Sequence, residues 1–159
     1  MISDELAYFI VYNYGADIIN SKNMQMEKEF MQHGTVSVFD HCLSVATMCV
    51  KIASLNIIKV DYASLIRGAL LHDYFLYDWH NSKCKEGLHG YKHAKIALKN
   101  AKQDFDINKI EANMIKSHMF PLNLFSFPKY NESIILCIAD KICATKETFL
   151  QRKITLIKK

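Results

Sequence analysis

The stretch Tyr62-Ala-Ser-Leu-Ile-Arg-Gly-Ala-Leu-Leu-His-Asp73 decides how the chain is read. Leu65, Ile66, Ala69 and Leu70 recur at the spacing of one helical face, and Asp61 stands where an N-cap belongs. The run ends on His72 and Asp73, where an apolar helix gives way to a polar stretch. A carboxylate beside an imidazole at a buried helix end is costly to desolvate unless a cation or a donor satisfies it. Local capping of a terminating helix is the plainer account, and the rest of the chain decides between the two.

Upstream, Val38, Cys42, Val45, Cys49 and Ile52 form the stripe of another helix, which Thr35 or Ser37 could cap. His41 lies one turn from Val38 and Val45, near the buried face, so its ring nitrogens need partners. Downstream, Asp140 interrupts the run Ile134-Ile-Leu-Cys-Ile-Ala-Asp140. It shares a helical face with Leu136 and Cys137, and a buried Asp there calls for a positive partner. Lys141 points about 100° away around the helix and is a poor choice.

The remaining segments continue the helical theme. One helix is expected from about Asp4 to Ile19, and a short one ending near Gly34. Others are expected over 90–101, through Ile107, Ile110, Met114 and Ile115, and from Asn131 with Ile134, Ile135, Leu136, Ile138 and Ile142 inside. Residues 81–86 and the span from Pro121 to Pro128 read as loops. No strand-like alternation competes. With five glycines, two prolines and half its 159 residues hydrophobic, the chain is expected to be all-α, a compact helical bundle over residues 1–159 as one domain.

Composition narrows the function. The formal charge of +4 is spread along the chain, with no basic block before Lys158-Lys159, which disfavours a nucleic-acid surface and suits a small phosphorylated molecule. The five cysteines are odd in number and include no CxxC pair, which argues for a reducing compartment and against a thiolate zinc site. Acidic residues precede a short apolar run at the N-terminus, unlike a signal peptide, and no run is long enough to span a bilayer. A cytoplasmic protein without a membrane partner is expected; the oligomeric state is open.

Three anomalous polar sites on three helices share one explanation, a bound divalent metal. Imidazoles with carboxylates suit Mn²⁺, Fe²⁺, Ni²⁺, Co²⁺ or Zn²⁺, and the sequence does not choose among them. The ordered set His41 in FDHCLSVA, His72-Asp73 in ALLHD and Asp140 in CIADK resembles the HD-domain phosphohydrolases, over roughly residues 33–145. Within that superfamily the likeness is to small stand-alone bacterial domains. The resemblance implies a helical domain of the HD type that uses divalent metal to cleave a phosphate ester or phosphoanhydride, a nucleotide being one candidate substrate. Two alternatives stand beside it: a non-catalytic metal-binding domain, and a mixed-valent di-iron oxygenase.

On this reading His41, His72, Asp73 and Asp140 hold the first metal, and Asp73 is a catalytic residue that could bridge to a second. The order of residues in the two-metal branch of the resembled family assigns that second ion to His89 and His118, about 3.5–4 Å from the first. His93, four residues after His89, is left for substrate contact, proton donation or support of a ligand. His33 and Lys141 are weaker candidates for substrate phosphate, and Arg67 is expected in a structural salt bridge. The aromatic loop from Phe120 to Tyr130 could cover the metal cleft, pack into the core or form a subunit contact. Asp140→Ala is expected to remove most metal and activity, and to raise the stability of the metal-free protein if that carboxylate is unpaired.

Overall fold

Most of the helix starts are set by polar side chains that accept the free backbone N–H groups of the first turn. Ser3 accepts from Leu6, Ser21 from Met24, Ser37 from Asp40 and Asp61 from Ala63. Asn108 and Glu111 make a reciprocal capping box. The computed structural model describes residues 1–80 and 89–157. Its helices are α1 (Asp4–Ile19), α2 (Lys22–Met26), α3 (Val38–Ala53), α4 (Tyr62–Leu70), α5 (His89–Asp104), α6 (Lys109–Ser117) and α7 (Asn131–Ile157).

The all-helical expectation holds for the body of the molecule. The departure is a two-stranded antiparallel ribbon, β1 (Met31–His33) with β2 (Val36–Ser37). Its strands are too short to show alternation, and Gly34, with φ of 63°, turns the chain between them. The short helix expected to reach Gly34 therefore ends at Met26, followed by one 3-10 turn over Glu27–Glu29.

Helix α3 packs against α1, α4 and α7, while α4 also meets α1 and α6, and α6 also meets α5 and α7. Gly68 permits the α4–α6 approach, because a Cβ there would come within 2.5 Å of Met114 Sδ and 3.1 Å of Met114 Cβ. Leu65, Ile66, Ala69 and Leu70 are buried as their spacing predicts, as are Met114 and Ile115; Ile107 and Ile110 pack at the margin. Along α7 the expectation needs correction. Ile135 and Leu136 are buried, but Ile134 and Ile138, one turn apart on the opposite face, are 44% and 47% exposed. Arg67 is the structural cation expected, bonding Asp17 at 2.6 Å and Glu111 at 3.3 Å.

Three hydrogen bonds hold α5 to the turn that follows α4. Asn100 donates to the carbonyls of Tyr74 and Phe75, both at 3.1 Å, and Tyr74 donates to Asp104 at 2.7 Å. His93 lies seven residues before Asn100, so the same anchorage carries its helical face to the His72-Asp73 turn.

Candidate metal centre

Helix α4 ends at Leu70, and the turn beyond it puts both His72 and Asp73 inside the protein. His41, in the first turns of α3, and Asp140, in the first half of α7, both reach this turn. His41 Nε2 lies 3.2 Å from Asp140 Oδ1 and 4.0 Å from Asp73 Oδ2. His72 Nε2 lies 3.5 Å from Asp73 Oδ2 and 3.8 Å from Asp140 Oδ1. The four residues read from the sequence are thus brought together.

A second group forms on the other side of Asp73. Its Oδ1 lies 3.2 Å from His93 Nε2 and 3.4 Å from His118 Nε2, and those two nitrogens are 2.8 Å apart. Two triads of donor atoms result, His41-His72-Asp140 and Asp73-His93-His118. Asp73 turns one oxygen to each, as a bridging carboxylate must. His118, expected at the second ion, lies beside Asp73 Oδ1. His93, expected to contact substrate, donate a proton or support a ligand, lies among the donor atoms. The side chains of His89 and His33 lie outside the described residues, so their expected roles have no observation here.

The proton positions explain why these atoms face one another. His72 Nδ1 donates to the Ala69 carbonyl at 2.7 Å, and His118 Nδ1 donates to Ile115 at 2.8 Å. Each bond leaves Nε2 as a lone pair, facing carboxylate oxygens in His72 and, in His118, Asp73 Oδ1 and the His93 ring nitrogen. His72 Nε2 and Asp73 Oδ1 are both buried without a hydrogen bond of good geometry. Acceptors gathered around acceptors are unfavourable unless a cation lies between them. The residues present therefore fit a bound divalent metal at each triad, and the nitrogen-oxygen donor set leaves its identity open. Cys42, whose Sγ is 3.9 Å from His72 Nδ1, is no competitor: burial pushes its thiol well above the usual range.

Electrostatics separates the two triads. Burial resists charge on His41, but hydrogen bonds to Asp140 and Glu147, with Asp73 nearby, carry its pKa up to about 10. His118 moves the other way, driven by burial to about 4 against the pull of Asp73, with His93 and His72 adding to the fall. Burial likewise works against ionised Asp73, yet the imidazoles of His72, His93 and His118 hold it well below the ordinary carboxylate value. Asp140 is lowered despite its burial, chiefly by the hydrogen bond from His41, with the neighbouring imidazoles of His72 and His118 acting in the same direction.

A family model described as the HD domain matches residues 38–145, more than half of the chain. The chain belongs to the HD-domain family. No curated protein and no solved structure gives a significant match. The HD-domain assignment agrees with the helical body, the ordered histidines and aspartates, and a divalent-metal centre able to support phosphohydrolase chemistry.

Three side chains of this HD-domain centre were not anticipated. Glu147 Oε2 is 2.9 Å from His41 Nδ1; its only sequence signal is its position two turns after Asp140, on the same face of α7. Gln32, next to His33 in the ribbon, donates to Asp73 Oδ2 at 2.5 Å. Glu27 accepts from Leu76 N–H at 3.0 Å, and burial, abetted by the charge of Asp73, takes its carboxyl to about 8. A buried acid in a charged stretch such as MEKEF leaves no pattern to read.

Proposed function

We propose that the protein hydrolyses a phosphate ester or phosphoanhydride of a small molecule, with His41, His72 and Asp140 holding one divalent cation and Asp73, His93 and His118 the other. The observation that carries this reading is the placement of Asp73 between the triads, with an oxygen toward each. Bound there, divalent cations supply an activated water and neutralise phosphoryl oxygens.

The chain's own residues do the rest. Gln32 donates to Asp73 and fixes the carboxylate plane, while the carbonyls of Ala69 and Ile115 fix the rings of His72 and His118. Asp140 is the donor with an outlet: its side chain is 14% exposed, against 5% or less for the other five. It lines a cavity of about 480 Å³ with Met119, Pro121, Leu122 and Lys141. Lys141 Nζ is held 3.1 Å from the Cys137 carbonyl, placing a cation at the cavity where a phosphate would enter. An accessible donor beside a cavity supports catalysis over a closed structural site.

The single-domain reading of residues 1–159, with the metal centre in 33–145, is supported by the packing of α1 on α3 and α4. None of the helices described is long and apolar enough to cross a membrane. The test of function is a screen of nucleotides, dinucleoside polyphosphates, cyclic dinucleotides and simple phosphomonoesters against folded protein loaded with each of several divalent ions. Metal-dependent release of phosphate or nucleotide, abolished by chelator, is expected. Inertness toward every phosphorylated substrate would overturn the assignment.

A further inference from the structure

His72 and His118 have their rings oriented by backbone carbonyls three residues earlier, at Ala69 and Ile115. Both follow the end of a helix, where the last carbonyls lack an intrahelical partner and are free to accept. His41 is placed differently. It sits in the opening turns of α3, where the carbonyls behind it are taken by the helix ladder. The surroundings also make its tautomer a contest. Asp140 Oδ1 at 3.2 Å and Asp73 Oδ2 at 4.0 Å both attract a proton to Nε2, the nitrogen that must present a lone pair to metal.

Glu147 decides that contest from the far side. Its Oε2 and Oε1 lie 2.9 and 3.1 Å from Nδ1, and its side chain is only 11% exposed. Asp140 and Glu147, seven residues apart on one face of α7, bracket the imidazole. We infer that Glu147 is a positioning residue: it holds the proton of His41 on Nδ1 and so readies Nε2 for the first cation. This deepens the metal-centre reading and rests on it. A carboxylate behind a ligating histidine also raises the basicity of the ligand, and loss of such a partner typically weakens metal binding by about 10–100-fold.

The role is specific to one triad, which makes it testable without substrate. Full-length protein is stripped with chelator and titrated calorimetrically with Zn²⁺ and, separately, Mn²⁺, alongside Glu147→Ala and Glu147→Gln. Glu147→Ala should weaken the ion at His41-His72-Asp140 by about 10–100-fold and leave the ion at Asp73-His93-His118 at wild-type affinity. Glu147→Gln retains an oxygen that can accept from Nδ1–H, so it should lose less, and its near-identical shape guards against misfolding. Long-range ¹H–¹⁵N spectra of the Zn²⁺-loaded wild type should show His41 protonated on Nδ1. Wild-type affinity for both ions in both variants would overturn the inference, as would equal weakening of the two sites. Failure of the wild type itself to bind metal would sink the metal centre and this inference with it.

Discussion

Around His41 and His72 the chain gathers carboxylates: Asp140, Glu147 and one oxygen of Asp73. Beside His93 and His118, among the described residues, stands the other oxygen of Asp73. Without metal the first group is partly neutralised by a proton, since His41 titrates near 10. The second contains an imidazole held neutral, with His118 near 4. Two donor sets a few ångströms apart are thus prepared differently. The acid-rich one must give up a proton to take a cation, and the histidine-rich one presents a lone pair already bare.

The sharpest break in that comparison is to remove what the triads share. Asp73→Ala should drop the metal-to-protein ratio from about two to below one and take activity to the detection limit. Asp140→Ala should strip only the first ion. The structure also reverses the stability expected for that variant. Asp140 is paired, 3.2 Å from His41 Nε2, so chelator-treated Asp140→Ala should be less stable than wild type by about 1.5–3 kcal/mol. Metal analysis with urea denaturation checks both; undiminished metal in Asp73→Ala would refute the shared carboxylate.

Removing a ligand from one side only is a smaller perturbation. His93→Ala and His118→Ala should each lower the metal content by about one ion and spare the first. His89→Ala decides between the residue expected from sequence and the one found beside Asp73. Loss of an ion in His89→Ala, with full content in His93→Ala, would select the former.

The same contrast predicts opposite pH responses in chelator-treated protein. The folded-state pKa of His41 lies above its unfolded value near 6.5, so its contribution is complete below pH 6.5 and is lost as pH rises through about 10. That of His118 lies below, so its contribution is complete above pH 6.5 and is lost as pH falls toward about 4. Asp73 and Asp140, both lowered, add to the acid-side loss. Denaturation midpoints across this range should therefore flatten on the alkaline side in His41→Gln and on the acid side in His118→Gln. An unchanged alkaline slope in His41→Gln would show that the proton resides elsewhere.

How much of this was legible depends on whether a residue offends its local pattern. His41, the His72-Asp73 pair and Asp140 each interrupt an apolar helical stripe, and they meet in space as their burial demands. The helix starts were readable where a cap side chain precedes a stripe, as Asp61 and Ser37 do. His93 was harder to place, because it shares a segment with His89 and the anchorage of α5 that brings it to Asp73, through Asn100 and Asp104, is not written in the spacing. Gln32 and Glu27 act through contacts that spacing does not encode, and Glu147 offers no more than its place two turns after Asp140. Ile134 and Ile138 were misplaced because α7 is apolar on more than the face it buries.

The smallest effects should come from the aromatic loop after His118, where the contrast is no longer between donors but between their surroundings. Core packing, one of the fates open to this loop, is not the one taken by its apolar tip: Leu124 is 70% exposed and Phe125 fully so. Leu122, 52% exposed, differs from both because it lines the cavity beside Asp140 and Lys141. A substrate whose apolar part rests on that wall is held less tightly when the wall becomes polar, while the donors around Asp73 are untouched. Leu122→Ser should therefore raise KM by about 10-fold at constant kcat and metal content, the scale on which a pocket senses one small apolar group. Phe125→Ser, with its ring already in water, should leave KM unchanged and shift stability by no more than about 0.5 kcal/mol. Steady-state kinetics with metal-saturated enzyme separates the two positions. Equal responses at Leu122 and Phe125 would mean that the cavity beside Asp140 does not receive the substrate.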